Sequence, residues 1–151
     1  MDLMIIGDPH AHPDYDNSRF EKLGKFIAKV KPDAVICMGD FADMPSLSSY
    51  DRGTKGFEGR RYQKDVEASL DAQERLLHPL KRMKNLKRYM VLGNHEDRIT
   101  RVTNSTPELD GTIGIKDLKY KENGWKITPF KKAVKIKNIM FSHYFSSGIM
   151  G

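Results

Sequence analysis

Three short apolar runs, Leu3 to Ile6, Ala34 to Met38 and Tyr89 to Leu92, each stop at a glycine: Gly7, Gly39 and Gly93. Runs of this length, bounded by glycine, read as buried strands. Between the first two, Phe20, Leu23, Ile27 and Val30 recur at helical spacing. Ser18 with Glu21 has the pattern of a capping box at the start of that helix, and Lys31-Pro32 ends it. Strand, helix, strand with a crossover of this length predicts parallel pairing. The chain therefore starts as an α/β fold.

The rest of the chain extends the pattern. Pro45 to Gly59 is polar and glycine-containing, and reads as a long functional or mobile loop. A second helix is expected over Arg61 to Lys84, with Val66, Leu70, Leu76, Leu77 and Leu80 as its apolar face and Pro79 kinking or ending it. A short helix is expected over Glu96 to Val102. Thr106 to Gly124 has few periodic signals and receives no assignment. Lys126 to Thr128, Ala133 to Ile136 and Asn138 to Ser142 read as short strands, the last two forming an antiparallel hairpin. With 151 residues and no repeat or linker, one domain is expected over 1–151.

Composition narrows the class. No apolar run approaches the ~20 residues of a membrane-spanning helix, and Met1 to Ile6 lacks the pattern of a signal peptide. No membrane partner is expected. Cys37 is the sole cysteine and sits mid-strand, which excludes an intrachain disulfide or a cysteine zinc cage and makes a reducing cytoplasm the expected compartment. Net charge is +6, from 26 Lys+Arg against 20 Asp+Glu. Such a balance suits phosphates or nucleic acid, or simply a solvated lysine-rich surface.

The residues after each glycine carry the chemistry. The first strand is followed by Asp8, His10 and His12, the second by Asp40 and Asp43, the third by Asn94, His95, Glu96 and Asp97, and the last by His143. In open α/β sheets the ligand crevice lies beyond the carboxyl ends of the strands, so these clusters should converge. Asp or Asn after glycine also forms ordinary turns; three such clusters in order at strand ends point to a site. Asp, His and Asn together suit divalent metals such as manganese, iron, zinc or nickel. If Asp8-Pro9-His10 is extended, positions i and i+2 face the same way and can share one ion. Several ligands at separate strand ends suit two ions, and a pair ~3.5–4 Å apart can clamp a phosphoryl group. His12 could support the ligands, face a substrate or be exposed. His78 reads as a surface or packing residue.

The segments "DPH", "GDFAD", "GNHE" and "SHY" resemble, in order, blocks of the calcineurin-like metallophosphoesterase superfamily. The resemblance spans residues 8 to 143. It implies a layered sandwich of mixed β-sheets flanked by helices and a metal-dependent phosphoesterase acting on a phosphomonoester or phosphodiester. Two divalent ions are implied, with Mn2+ the first expectation. Asp8 and His10 would bind the first ion, Asp40 would bridge both, and Asn94 and His143 would bind the second. A metal-bridging hydroxide would attack phosphorus. His95 would stand beside the scissile phosphate as proton donor or charge stabiliser, with Asp43 holding its tautomer. Two departures matter. Asp43 is followed by Met44-Pro45 where related protein phosphatases carry an arginine; Arg98 could supply a phosphate contact instead, or be a solvated helix residue. The family's final GHxH block is absent, so each ion would have fewer protein ligands, and the fold is expected to be truncated on its C-terminal side, where "SSGIMG" reads as a loop.

Two alternatives stand beside this expectation. One is a nucleic-acid phosphodiesterase or nuclease of the same superfamily, favoured by the basic charge and by the loop "RGTKGFEGRR" from Arg52 to Arg61. The other is a catalytically impaired fragment or binding module. Oligomeric state has no signal in the sequence.

Overall fold

The computed structural model describes residues 1–145; the expected "SSGIMG" loop lies outside the described residues. Among the described residues, nine regular elements succeed one another: β1 (Leu3–Ile6), α1 (Ser18–Val30), β2 (Ala34–Cys37), α2 (Tyr62–Leu77), β3 (Lys87–Val91), α3 (Asn94–Ser105), β4 (Lys126–Thr128), β5 (Val134–Ile136) and β6 (Ile139–Phe141). β1 to β4 form a parallel sheet in that spatial order, and β5 pairs with β6 as a separate antiparallel hairpin.

The period of two along each strand separates the layers. Val35, Cys37 and Met90 point into the main core with Phe20 and Ile27 of α1, Leu76 of α2 and Ile99 of α3. Ile36 and Val91 point the opposite way, onto Ile136 and Phe141 of the hairpin. The result is helices, parallel sheet, hairpin: a mixed α/β sandwich, as expected. Each fully buried side chain of this type contributes roughly 1.5–3 kcal/mol. The hairpin does not cover β1 completely, since Ile5 remains 57% exposed. Cys37 is buried, as its position in β2 predicts. No helix among the described residues is long and apolar enough to cross a membrane.

Several local expectations are corrected. The start of α1 is not a capping box: Asn17 is the N-cap and makes no side-chain cap bond, while the Ser18 amide and hydroxyl both donate to the Asp16 carboxylate. The second helix ends at Leu77, and His78–Leu80 tightens to a 3-10 turn because Pro79 cannot donate. The third runs longer than expected, starting at Asn94. The unassigned segment 106–124 contains two 3-10 turns, Pro107–Leu109 and Ile115–Leu118.

The most buried stripe of α2 carries polar residues: Asp65, Ser69 and Gln73 lie among Ala68, Ala72 and Leu76. Gln73 donates to the Leu118 carbonyl at 2.7 Å and accepts from Asn123 at 2.8 Å, which fixes the aperiodic segment to the helix. Asp65 Oδ2 accepts the Ser46 amide at 2.9 Å, while Oδ1 has no hydrogen-bond partner among the described residues. Burial pushes this carboxyl above its ordinary range, against the hydrogen bonds from Ser46. The folded chain thus keeps the proton to higher pH than the unfolded chain. This group favours folding most at low pH, and that contribution is lost as pH climbs through the raised pKa. Asp65→Asn cannot ionise and retains an oxygen for the Ser46 amide. Its melting temperature relative to wild type is therefore expected to rise between about pH 4 and about pH 7. Parallel melting curves across that range would contradict this.

Candidate functional site

β1, β2 and β3 are neighbours in the sheet, so the loops after them open at one edge. The first two loops continue the parallel pairing beyond the strands: the His10 amide donates to the Asp40 carbonyl at 2.9 Å, and the Ala11 amide to the Phe41 carbonyl at 2.7 Å. Arg19 of α1 holds the loop after β1 from the other side, donating to the carbonyls of Pro9 and His10.

His10, Asp40 and Met44 all have left-handed backbone, with φ near +50°. Such conformations cost non-glycine residues on the order of 1–3 kcal/mol each and persist where surrounding bonds impose them. The one at His10 overturns a local expectation. Asp8-Pro9-His10 is not extended, so the two side chains do not share a face. His10 lies with Asp43 and His95, while Asp8 lies with Asp40 and His143. Within each trio, one ligand atom per residue falls within 4.8 Å of the others.

The two glycines ahead of the second and third clusters are sterically required. Gly39 has φ +99°, and a Cβ there would meet the His143 ring and the Gly93 backbone at under 3 Å. A Cβ on Gly93 would collide with the Asp40 carboxylate and amide. This close approach lets Asp40, only 4% exposed, sit between the loops. Its Oδ1 accepts the His95 amide at 2.9 Å. Its Oδ2 lies 3.5 Å from His143 Nε2 and 3.8 Å from His95 Nε2.

The histidine tautomers follow from their partners. Carbonyl oxygens only accept, so His143 Nδ1, 2.6 Å from the Met38 carbonyl, carries a proton; so does His95 Nδ1, 2.6 Å from the Asp43 carbonyl. His10 Nδ1 donates to Asp43 Oδ2 at 3.2 Å. In the neutral imidazoles each Nε2 is left with a lone pair. His143 Nε2 points at Asn94 Oδ1, 2.9 Å away, and at Asp40 Oδ2. A lone pair, an amide oxygen and a carboxylate converging in this way fit a cation. A histidine oriented through Nδ1 by a carboxylate or carbonyl, with Nε2 left for the ion, is the usual arrangement at metal sites.

Electrostatics separate His95 from its neighbours. Burial alone would lower its pKa, but hydrogen bonds to the Asp43 side chain and backbone, with the Asp40 charge, raise it above the usual value. Burial alone would raise Asp43; the His95 hydrogen bond and the neighbouring histidines hold it below the usual carboxylate range. Arg98 donates to the carbonyls of Asp43 and Met44 at 3.1 and 3.3 Å and lies 3.5 Å from His95 Nε2. It is a half-buried brace behind His95, not a solvated helix residue.

All seven predicted metal-ligand and catalytic residues, Asp8, His10, Asp40, Asp43, Asn94, His95 and His143, meet at this edge. His12 stays outside both trios: it is buried, accepts the Asp14 amide at 3.0 Å and packs against Tyr15. His78 is exposed.

Sequence reasoning gave Glu96 no role, and it proves central. Fully buried, it accepts the amides of Asp40, Ala42 and Gly93 at 3.0, 3.1 and 2.9 Å and the Tyr120 hydroxyl at 2.9 Å. Burial pushes its carboxyl above the ordinary range against these donors. Its position three residues after Gly93 was the available signal, because a Glu there reaches back to the first amide of a helix. Tyr120 carried no signal.

Comparison with known proteins agrees with this architecture. The chain is 29% identical over 96 residues to the Gene 54 protein of Mycobacterium phage L5. That match covers 64% of this chain and 36% of the phage protein, so the chain spans about a third of that relative. The sequence profile of the calcineurin-like phosphoesterases matches residues 1–149, nearly the whole length. With the strand-end clusters gathered as they are, the chain belongs to the calcineurin-like phosphoesterase family.

Proposed function

We propose that this site hydrolyses a phosphomonoester or phosphodiester with the help of two divalent ions, manganese first among them. The observation that carries the reading is the pair of trios, His10 with Asp43 and His95, and His143 with Asp8 and Asp40. Nδ1 of His10 and of His143 is held by Asp43 and by the Met38 carbonyl, so that each Nε2 is left as a ligand, that of His143 facing the Asp40 carboxylate. His10 would serve one ion and Asn94 with His143 the other, with Asp40 between them; Asp8, exposed and on the His143 side, would turn toward His10 to complete the first. Two such ions supply Lewis acidity, withdrawing charge from phosphoryl oxygens and easing deprotonation of water.

His95 serves the leaving group. Its raised pKa favours the protonated ring, and with Nδ1 tied to Asp43 the transferable proton sits on Nε2. The Asp43 main-chain carbonyl, rather than its carboxylate, makes the short bond that fixes the ring orientation; the carboxylate lies 3.6 Å away and accepts from His10. Arg98 keeps the Asp43–Met44 carbonyls in place and sets positive charge beside the ring.

Removal of metal tests this. Chelator-treated protein is expected to lose hydrolysis of an aryl phosphodiester and of an aryl phosphomonoester, and to regain it with manganese. Elemental analysis of the reloaded protein should approach about two ions per chain. Hydrolysis that survives chelation would overturn the proposal.

A further inference from the structure

A cleft of about 800 Å³ opens beside Asn94 and His143 and runs away from the metal-ligand residues. One wall is the face of α3 carrying Asn94, Arg98, Arg101 and Ser105, at spacings of four, three and four. The opposite rim is the loop with Tyr50 and Arg52; Phe130, Lys131 and Tyr144 complete it.

Two features of this lining need a ligand to explain them. Among the described residues, four cations, Arg52, Arg98, Arg101 and Lys131, face a single acid, Asp97. Arg98 is engaged by backbone carbonyls and Arg101 by Asp97 at 3.4 Å. Arg52 and Lys131 have no ion pair among the described residues. Rings also stand open beside the cations. Tyr50 is 89% exposed and Tyr144 54% exposed, and the Lys131 ammonium lies 5.7 Å from the Phe130 centroid and 6.0 Å from that of Tyr144. A small phosphomonoester would use neither the length nor the rings. An acidic phosphopeptide would use the cations and leave the rings uncovered. A duplex keeps its base faces stacked away from them.

Resting on the phosphoesterase reading above, we infer that this cleft seats single-stranded nucleic acid, the open rings stacking on bases while Arg52 and Lys131 track phosphates. Rings alternating with cations along a groove are how single strands are held without sequence readout. The strand would present a phosphodiester at the Asn94–His143 end. Cleavage adds one water: its oxygen joins phosphorus as its proton leaves to solvent, one P–O bond breaks, the leaving oxygen takes the proton from His95, and His95 regains a proton from solvent. The products are a phosphomonoester end and a hydroxyl end.

Binding separates this inference from the hydrolysis it rests on. A fluorescein-labelled oligothymidylate is titrated, in chelator, into wild type and variants and followed by anisotropy. Tyr50→Ala and Tyr144→Ala are each expected to weaken binding roughly five- to a hundredfold. Arg52→Gln and Lys131→Asn should each flatten the dependence of log affinity on log salt by about 0.7; asparagine suits the left-handed backbone of Lys131. Melting temperatures report whether each variant folds, and Tyr50, being so exposed, should leave them unchanged. Failure to bind the oligonucleotide overturns the inference, even if aryl esters are hydrolysed. So does tighter binding of a duplex, or equal binding of inorganic polyphosphate with the ring variants unaffected. Binding by a protein that hydrolyses no aryl ester would retain the cleft assignment and sink the phosphoesterase reading.

Discussion

Asp40→Asn is expected to lower kcat/KM for a manganese-supported aryl ester by about a thousandfold or more, since ion-based charge stabilisation is worth several kcal/mol and each 1.4 kcal/mol is about tenfold. The substitution keeps shape and the oxygen that accepts the His95 amide at 2.9 Å. It replaces Oδ2, the atom facing Nε2 of both His95 and His143, with an uncharged amide group that repels a cation, donates toward the His143 lone pair and opposes the protonated Nε2 of His95. Folding should survive, because a nearly buried charge is removed without emptying space. The expected signature is an unchanged or higher melting temperature, a lower metal content by elemental analysis and lost turnover. Wild-type turnover in a variant that still binds metal would show that Asp40 does not bridge.

Glu96→Ala is expected to act through the fold. Alanine orphans the amides of Asp40, Ala42 and Gly93 and the hydroxyl of Tyr120, which converge on one fully buried carboxylate. An unsatisfied buried donor costs about 1–3 kcal/mol, and removing one partner from a buried charged cluster about 3–5 kcal/mol. Against a typical total of about 5–15 kcal/mol this brings a domain near its threshold. For a chain of this size it corresponds to a fall of roughly 10 °C or more in melting temperature. Glu96→Gln keeps one acceptor oxygen and sets an NH2 against the remaining donors, so it should fall between alanine and wild type. Both variants should lose turnover while still folded, because the Asp40 loop is released. Wild-type thermal melts for Glu96→Ala would refute the role given to this residue.

The α/β layering was legible because burial here is local in sequence. β2 is buried throughout, and its alternation puts Val35 and Cys37 on one side and Ile36 on the other. Gathering of the candidate metal-ligand residues was legible because parallel neighbours bring their carboxyl ends to one edge. Their grouping was not. An extended Asp8-Pro9-His10 is the default, and the left-handed turn at His10 depends on Arg19 holding two carbonyls from another element. The segment 106–124 was illegible for a related reason. It is ordered by Gln73 reaching Leu118 and Asn123, and by Tyr120 reaching Glu96, pairings tens of residues apart that leave no periodic trace. Half of what Glu96 does, its bond to the Gly93 amide, is local in sequence; the other half, reaching Asp40, Ala42 and Tyr120, is not.

The continuation of the sheet's pairing past its strands, through the His10 amide on the Asp40 carbonyl and the Ala11 amide on the Phe41 carbonyl, sets a ruler for the chemistry. Neighbouring strands lie about 4.8 Å apart. Loops that stay zipped beyond the strand ends inherit that interval, and side chains leaning inward from them need close little distance to hold ions ~3.5–4 Å apart. A site assembled this way takes its spacing from the backbone ladder rather than from long flexible ligands. On the two-ion reading proposed above, the substrate side would be free to vary on the α3 and Tyr50 walls while the separation of the ions stayed constant.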